Sequence, residues 1–320
     1  MSDYITHDHE HDGIDRRGFL QCMAWAGSGL LWTVSGGVLA SKTLAEIAKA
    51  ADPLPATDLS FLQISDSHIG FSKEANKDVT ATFKIALDRI NAMSTPPSFL
   101  IHTGDITQLS KPEEFDTFDQ VLKGCRTKDV FYVPGEHDVL NDGGKLYRDR
   151  YLKSIEAKGS GWYSFSKNGV HFIGLVNVLD LQAGGLGQLG DEQLEWLEAD
   201  VKDLGTSTPI VVFAHIPLWA VYPQWGWGTD DSEQALGYLK RFGSVTVLNG
   251  HIHQVLQKVE GNVTFHTAMS TAFPQPAPGT APNPGPLNVP SEKLRSVLGL
   301  TSIQYKQGKS ALAVVDSNLS

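Results

Sequence analysis

The stretch Phe61-Leu62-Gln63-Ile64-Ser65-Asp66-Ser67-His68 passes from an apolar run directly into an aspartate and a histidine. The apolar part predicts a buried strand, so the polar part is expected where that strand ends. The same change recurs at Gly104-Asp105, Gly135-Glu136-His137-Asp138, Ala214-His215 and Gly250-His251-Ile252-His253. Open α/β sheets bind their ligands at the carboxyl ends of their strands, and these five blocks are therefore the candidate site.

The five blocks supply mostly imidazole and carboxylate groups. Such groups are the ligands of catalytic divalent transition metals rather than of Ca²⁺ or Mg²⁺ alone. They are too many for a single four-coordinate ion. The sequence therefore predicts two metal ions close together, and Mn²⁺, Fe and Zn²⁺ all suit these ligands.

The series D-x-H, G-D, G-N-H-[DE], H and G-H-x-H is typical of calcineurin-like metallophosphoesterases, and this chain resembles a bacterial member of that family. The resemblance extends from about residue 61 to residue 253. It implies an α/β fold in which two β-sheets with mixed parallel and antiparallel strands are sandwiched between helices. It also implies hydrolysis of a small phosphate ester, which is a phosphomonoester, a cyclic nucleotide or another diester.

The resemblance further implies a role for each block. One metal would be held by Asp66, His68 and His253, the other by Glu136, His215 and His251, and Asp105 would bridge the two. Two metals about 3.5–4 Å apart hold a hydroxide that attacks phosphorus in line. His137 would then protonate the leaving group, and Asp138 matches the acid that orients His137.

Glu136 is the one clear departure from the family pattern, because the family has an asparagine at this position. The substitution adds a negative charge and a methylene group to the centre. Three outcomes follow: tighter metal binding with slower turnover, a preference for less charged substrates such as diesters, or a centre without activity. The last outcome would make the chain a metal-binding, non-catalytic relic of the family. The intact proton donor His137 favours an enzyme.

The N-terminal segment Ile14-Asp15-Arg16-Arg17-Gly18-Phe19-Leu20 resembles a twin-arginine export signal. An uncharged stretch follows at residues 18–41. Ala48-Lys49-Ala50 is a candidate cleavage site, and Val38-Leu39-Ala40 is an alternative. Residues 1–50 are thus expected to engage the twin-arginine machinery and direct the chain to the periplasm. A membrane anchor, if the signal is not cleaved, and a buried helix are the competing interpretations.

The net charge limits the classes of binding partner, and the cysteine content limits the possible disulfides. The net charge is −10, and about −8 of it lies beyond residue 50. An acidic surface argues against non-specific binding of nucleic acid or anionic membranes. Removal of residues 1–50 leaves Cys125 as the only cysteine, so no intramolecular disulfide is expected.

The remaining pattern predicts alternating strands and helices. Helices are expected over residues 80–93, 113–122 and 191–204, and strands over residues 99–101, 130–133, 210–214 and 245–248. Asn168-Gly169 predicts a hairpin between strands at 162–165 and 170–175. A metallophosphoesterase domain is expected over residues 51–273. Residues 274–320 form a Pro/Gly-rich segment and tail, of which 274–290 is either mobile or an extended strap.

Two further sets of residues need an interpretation of their own. The first is the aromatic cluster that follows His215, which consists of Trp219, Tyr222, Trp225 and Trp227. It is either a loop that packs on its own rings or an aromatic wall beside the metals that selects the substrate. The second set is His102, His171 and His266, which are interpreted as structural and left out of the site.

Overall fold

The computed structural model describes residues 58–307 and 311–320, together with the backbone of two short N-terminal strands. These strands, β1 (Leu30–Ser35) and β2 (Val38–Thr43), pair with each other in antiparallel fashion. The twin-arginine motif and the cleavage site at residues 48–50 lie outside the described residues. In the part of the chain that is described, no helix has the length and apolarity needed to cross a membrane.

The main body, described over residues 58–307 and 311–320, contains eleven strands and six α-helices. The strands are β3 (Leu59–Ile64), β4 (Leu100–His102), β5 (Val130–Tyr132), β6 (Tyr163–Lys167), β7 (Val170–Gly174), β8 (Ile210–Phe213), β9 (Val245–Asn249), β10 (Gln257–Glu260), β11 (Val263–Thr267), β12 (Gly299–Tyr305) and β13 (Ala313–Asn318). The helices are α1 (Val79–Asn91), α2 (Pro112–Leu122), α3 (Lys145–Tyr151), α4 (Asp191–Val201), α5 (Ser232–Leu239) and α6 (Ser291–Leu294).

The strands of the main body form two mixed sheets, as the family resemblance implies. One sheet has the order β13-β12-β3-β4-β5. In it β3, β4 and β5 are parallel, and β12 runs antiparallel to both of its neighbours, β3 and β13. The other has the order β10-β11-β9-β8-β7-β6, with β7, β8, β9 and β11 parallel. Strand–helix–strand connections place the parallel strands side by side, so their carboxyl ends meet at common edges.

Aromatic packing joins the two sheets. Phe61 of β3 lies 4.9 Å from Phe99 and 5.3 Å from Phe172 of β7, measured between ring centroids. All three side chains are fully buried. Each aromatic pair of this kind contributes about 0.5–1.5 kcal/mol beyond the burial of its area. The core between the sheets therefore fixes the distance between the strand ends that carry the polar blocks.

The predicted helices and strands are present with boundaries that differ by a few residues. The hairpin at Asn168-Gly169 is confirmed, because φ is 51° and 80° at these two residues, as a tight two-residue turn requires. Helices α3, α5 and α6 and strands β10 and β12 were not predicted. Strand β12 pairs with β3 and so places the C-terminal segment in the same sheet as the first polar block.

The structure agrees with a structural role for two of the three remaining histidines. His171 of β7 contacts Asp200 of α4, with 2.8 Å between Nε2 and Oδ2. His266 of β11 contacts Asp316 of β13 at 3.0 Å and thereby links the two sheets. Both rings are buried and paired away from the polar blocks.

Candidate metal centre

The five polar blocks converge at the carboxyl ends of β3, β4, β5, β8 and β9. Several of their residues have a left-handed backbone, with positive φ at Asp66, His68, Asp105, His251 and His253. Residues other than glycine seldom adopt this conformation, and it costs on the order of 1–3 kcal/mol each. Such strain concentrates at functional sites, where the surrounding structure holds side chains in a fixed direction.

The blocks bring together two groups of possible metal ligands. Asp66, His68 and His253 form one group, and Glu136, His215 and His251 form the other, with the ligand atoms of each group within 4.8 Å of one another. Asp105 lies between them, because its Oδ2 is 3.4 Å from Nε2 of His68 and 3.4 Å from Nε2 of His215. All seven sequence-predicted ligands are therefore at one place.

Several donor atoms at this place point at one another without hydrogen bonding. Oε2 of Glu136 lies 3.0 Å from Nε2 of His215, and Oε1 lies 3.0 Å from Nδ1 of His251. Four of these atoms are buried and lack a hydrogen-bond partner: Oε2 of Glu136, Nε2 of His215, Nδ1 of His251 and Oδ2 of Asp66. Buried polar atoms without partners are costly. A divalent cation would satisfy them, so this donor set fits metal ions.

Hydrogen bonds from the backbone orient the ligands. Nδ1 of His215 lies 2.6 Å from the carbonyl oxygen of Thr103, and Nδ1 of His253 lies 2.6 Å from that of Phe273. In both rings the N–H at Nδ1 donates to the carbonyl, so Nε2 is the nitrogen that faces the centre. The backbone N–H of His251 donates to Oδ1 of Asp66 at 3.0 Å and leaves Oδ2 open.

Burial and neighbouring charges shift the protonation states at the centre. Burial by itself raises the pKa of Glu136, but the charges of His251 and His215 hold it well below its usual range. Burial lowers the pKa of His68 to about 3, so this ring is neutral near pH 7. Burial also disfavours the charged form of His215, yet Asp105 and Glu136 raise its pKa well above the usual value. Metal binding must therefore displace a proton from His215.

His137 lies beside the two ligand groups and is partly exposed. Its Nδ1 lies 2.7 Å from the carbonyl oxygen of Gln108, and its ring centroid is 4.8 Å from that of His68. The N–H at Nδ1 donates to that carbonyl, so Nε2 is the nitrogen left for exchange of a proton with a substrate.

The hydrogen bonds of the Asp138 carboxylate go to groups other than the ring that it was expected to orient. Its carboxylate accepts hydrogen bonds from the backbone N–H groups of Ile106, Thr107 and Gly135 at 2.8–3.1 Å, and from the Thr107 hydroxyl. The expectation is corrected: Gln108 holds the imidazole, and Asp138 ties the β4 and β5 loops together. Burial raises the pKa of Asp138 to about 7, with a further contribution from the charge of Asp105.

Two glycines allow the loops to approach so closely. A Cβ at Gly135 would overlap both Oδ1 and the backbone nitrogen of Asp105. A Cβ at Gly250 would overlap Oγ of Ser65 and lie 2.7 Å from Oδ2 of Asp66. The glycines in the third and fifth blocks are thus needed because a ligand carboxylate occupies the space of a side chain.

His102 supports the centre from behind. Its Nε2 lies 2.9 Å from the hydroxyl of Ser67, and its Nδ1 accepts a hydrogen bond from the N–H of Gly104 at 3.2 Å. The ring is buried, and burial lowers its pKa to about 3. This neutral histidine connects the first two blocks and is not among the possible ligands.

A cavity of about 290 Å³ opens onto the centre. Its lining consists of Glu136, His137, Leu181, Gly185, Ile216, Trp225, Trp227, His251, Gln275, Pro284 and Gly285. Each interpretation of the aromatic cluster applies to some of its members. Trp219 packs on another ring, that of Phe265, with 5.0 Å between ring centroids. Trp225 and Trp227 line the cavity. The sequence did not indicate the contribution of Gln275, Pro284 and Gly285.

Comparison with known proteins agrees with this architecture. The family model described as calcineurin-like phosphoesterase matches residues 59–255. A 3′,5′-cyclic-nucleotide phosphodiesterase of Nostoc sp. is 25% identical over 223 residues, which cover 67% of this chain and 79% of that protein. A glycerophosphodiester phosphodiesterase of Enterobacter lignolyticus is 26% identical over 223 residues, which cover 67% of this chain and 77% of that protein.

A solved structure shows the same fold at low sequence identity. A dimetal phosphatase from Danio rerio superimposes with a TM-score of 0.58 at 14% identity, covering 82% of this chain and 99% of that one. The family match spans more than half of the chain and includes all five polar blocks. The chain belongs to the calcineurin-like phosphoesterase family.

Proposed function

We propose that this protein is a dinuclear-metal phosphoesterase that hydrolyses phosphodiesters. The observation that carries the proposal is the position of Asp105, whose Oδ2 lies at equal distances from His68 in one ligand group and His215 in the other. A carboxylate between two groups of ligands suits two ions that share it. The relatives from Nostoc and Enterobacter, which are named as phosphodiesterases, support the reaction class.

The residues of the chain supply binding, charge and a proton. One ion would be held by Asp66, His68 and His253, the other by Glu136, His215 and His251, with Asp105 shared. When bound, two divalent ions supply a hydroxide nucleophile near neutral pH and polarise the phosphoryl oxygens. Mn²⁺, Fe and Zn²⁺ all suit these donors.

His137 is the proposed proton donor to the leaving oxygen. Its Nδ1–H is committed to the carbonyl of Gln108, so only Nε2 can carry the transferred proton. Burial opposes protonation, but the carboxylates of Asp105 and Glu136 raise the pKa of His137 above its ordinary value. A side chain of this kind contributes about 10²–10⁴-fold to a rate. Its presence beside the ligands is the feature that argues against a non-catalytic relic.

Glu136 favours diesters over monoesters. The three carboxylates Asp66, Asp105 and Glu136 would leave two divalent ions with a single net positive charge. A phosphodiester carries one negative charge, whereas a phosphomonoester carries nearly two near pH 7. The extra carboxylate therefore penalises the dianion more than the monoanion.

The testing experiment compares p-nitrophenyl phosphate with bis(p-nitrophenyl) phosphate. The protein is reconstituted separately with Mn²⁺, Fe²⁺ and Zn²⁺, and His251→Ala is the control for ligand loss. Turnover that depends on metal, prefers the diester and is lost in the control would support the proposal. Two bound ions without turnover of either ester would identify a non-catalytic centre.

Glu136→Asn sharpens the same experiment. If the additional charge tunes an active enzyme, the variant changes activity modestly and shifts its preference toward the monoester. A large rise from no activity would show instead that Glu136 had silenced the centre.

We further propose that residues 1–50 act as a twin-arginine export signal and that the enzyme works in the periplasm. The paired Arg16 and Arg17 ahead of an uncharged stretch support this. Cell fractionation of the full chain and of the double variant Arg16→Lys and Arg17→Lys tests it, and N-terminal sequencing of the exported form locates any cleavage. Equal periplasmic amounts of both chains would refute the proposal.

A further inference from the structure

Three segments that contribute no metal ligand line the cavity above the centre. Residues 217–228 provide Trp225 and Trp227, residues 274–290 provide Gln275, Pro284 and Gly285, and residues 175–190 provide Leu181 and Gly185. We call these the covering segments. They meet the cavity where Glu136, His137 and His251 line it, so a ligand that fills the cavity contacts both the centre and these segments.

The indole of Trp225 is held in place before any ligand binds. Its ring lies 5.0 Å from Tyr222 and 5.0 Å from Trp227, edge to face in both pairs. Trp227 is itself fully buried, and its carbonyl accepts the N–H groups of Val221 and Tyr222 at 2.9 and 3.0 Å. A preorganised aromatic surface loses little conformational freedom when a second ring packs on it.

The second covering segment is tied to the backbone of the metal-ligand loop. Gln275 donates from Nε2 to the carbonyl of His251 at 3.0 Å, and Gln254 donates from Nε2 to the carbonyl of Pro276 at 3.0 Å. The N–H of Leu287 donates back to the carbonyl of Pro274 at 2.8 Å. Pro284 and Gly285 are therefore positioned relative to the centre without any regular secondary structure.

The lining of the cavity combines apolar and polar groups. Leu181, Ile216, Trp225, Trp227 and Pro284 are its apolar members, and none of its lining residues is lysine or arginine. Its acidic residue is Glu136. A volume of about 290 Å³ lies at the small end of ligand pockets, which suits one ring system and a phosphate rather than a polymer.

We propose that Trp225, with Leu181 and Pro284, forms a specificity pocket for a planar aromatic group esterified to a singly charged phosphodiester. This rests on the proposed function of the same centre. The aromatic ring belongs to the ester group that stays on phosphorus, and it packs against the indole of Trp225 while the phosphate faces the ligand groups. A nucleobase and a simple aryl group share this chemistry, and the test separates them.

The test holds the leaving group constant and varies the other ester group. Methyl p-nitrophenyl phosphate and phenyl p-nitrophenyl phosphate carry the same charge and release the same phenol. The metal-reconstituted protein should have the higher kcat/KM for the phenyl ester. Trp225→Ala should lose about 10-fold on the phenyl ester, mainly in KM, because a stacked ring is worth a loss of this order. The loss on the methyl ester should be under about 3-fold.

Two variants make the result specific to the ring. Trp225→Phe keeps an aromatic face and should restore most of the preference. Trp196→Ala is the matched control, since Trp196 is also half-buried but lies on α4 and does not line the cavity. Calorimetric binding of methyl phenylphosphonate provides a readout independent of activity, because its ring is joined to phosphorus by a C–P bond and its only leaving group is methoxide. It should weaken in Trp225→Ala alone.

The nucleobase arm uses 3′,5′-cyclic AMP with the same variants. A loss in Trp225→Ala comparable to that on the phenyl ester would assign the pocket to nucleobases as well as aryl groups, and no loss would restrict it to aryl esters. Equal losses on the methyl and phenyl esters would overturn the pocket while the phosphodiesterase stands. Turnover of neither ester with any metal would overturn both proposals.

Discussion

The ligand loops at the strand ends and the covering segments lie against the same cavity but are built differently. The ligand loops are short extensions of core strands, and Asp66, Asp105 and His215 in them are almost completely buried. The covering segments are longer, and Trp225 and Gln275 remain partly exposed. Strand ends fix directions, whereas the covering segments depend on a few hydrogen bonds and ring contacts.

The difference separates chemistry from selectivity. Apart from the additional charge of Glu136, changes in the ligand loops should affect every substrate, because all substrates would meet the same ions and the same proton donor. Changes in the covering segments should affect substrates unequally, because only some of them present a ring or a second charge to the cavity.

The largest effect is expected at the shared carboxylate. Asp105→Ala removes the oxygen between His68 and His215 and should lower kcat/KM by about 10³-fold or more for mono- and diesters alike, because a metal supplies several kcal/mol of transition-state stabilisation. Elemental analysis should show fewer than two ions per chain. Asp203→Ala changes an exposed carboxylate and serves as the control. Two retained ions with full activity would contradict a bridging role.

A comparable loss should follow from filling the space beside that carboxylate. In Gly135→Ala the new methyl group overlaps Asp105, so the carboxylate or the loop must move. A displacement of about 1 Å at a catalytic group costs on the order of 100-fold in rate. Metal content and kcat/KM for both esters measure the effect.

The control for this substitution is Gly237→Ala in α5, where a Cβ meets no atom within 4 Å. A helical alanine should raise the free energy of unfolding by about 0.5–1 kcal/mol and leave activity unchanged. If Gly135→Ala behaved like Gly237→Ala, the tight contact with Asp105 would have no functional weight.

The position of the ligands could be predicted because each follows its own strand. An apolar run and a polar block are adjacent in sequence, so the strand end and the side chain that it carries come from the same few residues. The two-sheet fold follows from the same alternation together with the family resemblance. The pairing of β12 with β3 could not be read in this way, because it joins residues about 240 positions apart through backbone hydrogen bonds that any sequence can make.

The misassigned role of Asp138 has the same physical cause. The actual partner of the His137 ring is the carbonyl of Gln108. Every residue has a carbonyl oxygen, so the sequence does not indicate which one binds the ring. Trp225 and Pro284 were visible as an aromatic cluster and a Pro/Gly-rich segment, but their meeting at one cavity depends on tertiary packing. Side chains that follow directly on their own strand can be predicted from the sequence. Backbone carbonyl partners, and side chains that only tertiary packing brings together, cannot.

A smaller and selective effect is expected at the mouth of the cavity. Leu181 is 44% exposed, so Leu181→Lys should be tolerated and would place a cation where the lining has none. One additional charge near a dianion is worth about 1 kcal/mol in a largely aqueous setting, which shifts the ratio of monoester to diester kcat/KM upward about 3- to 10-fold. The shift should shrink at high salt.

Val259→Lys is the matched control for this variant, because Val259 is 70% exposed on β10 and does not line the cavity. The ratio should remain unchanged in that variant. A uniform loss on both esters in Leu181→Lys would show that this residue supports the centre itself, and the division between chemistry and selectivity would fail at this point.

The smallest expected change is a displaced titration midpoint at His137, where the two regions touch. Burial lowers the pKa of His137, but Asp105 and Glu136 outweigh it, so in the metal-free protein the imidazolium persists above the ordinary value of 6.5 and is lost as pH rises through the raised pKa. Glu136→Gln removes one of these charges and should move the midpoint down, as followed by NMR of the ring nitrogens. Glu113→Gln, an exposed carboxylate on α2, should leave it in place. If Glu136→Gln also left the midpoint unchanged, the charge of Glu136 would act on the bound ions and the substrate but not on the proton donor, and its effect on selectivity would be independent of acid catalysis.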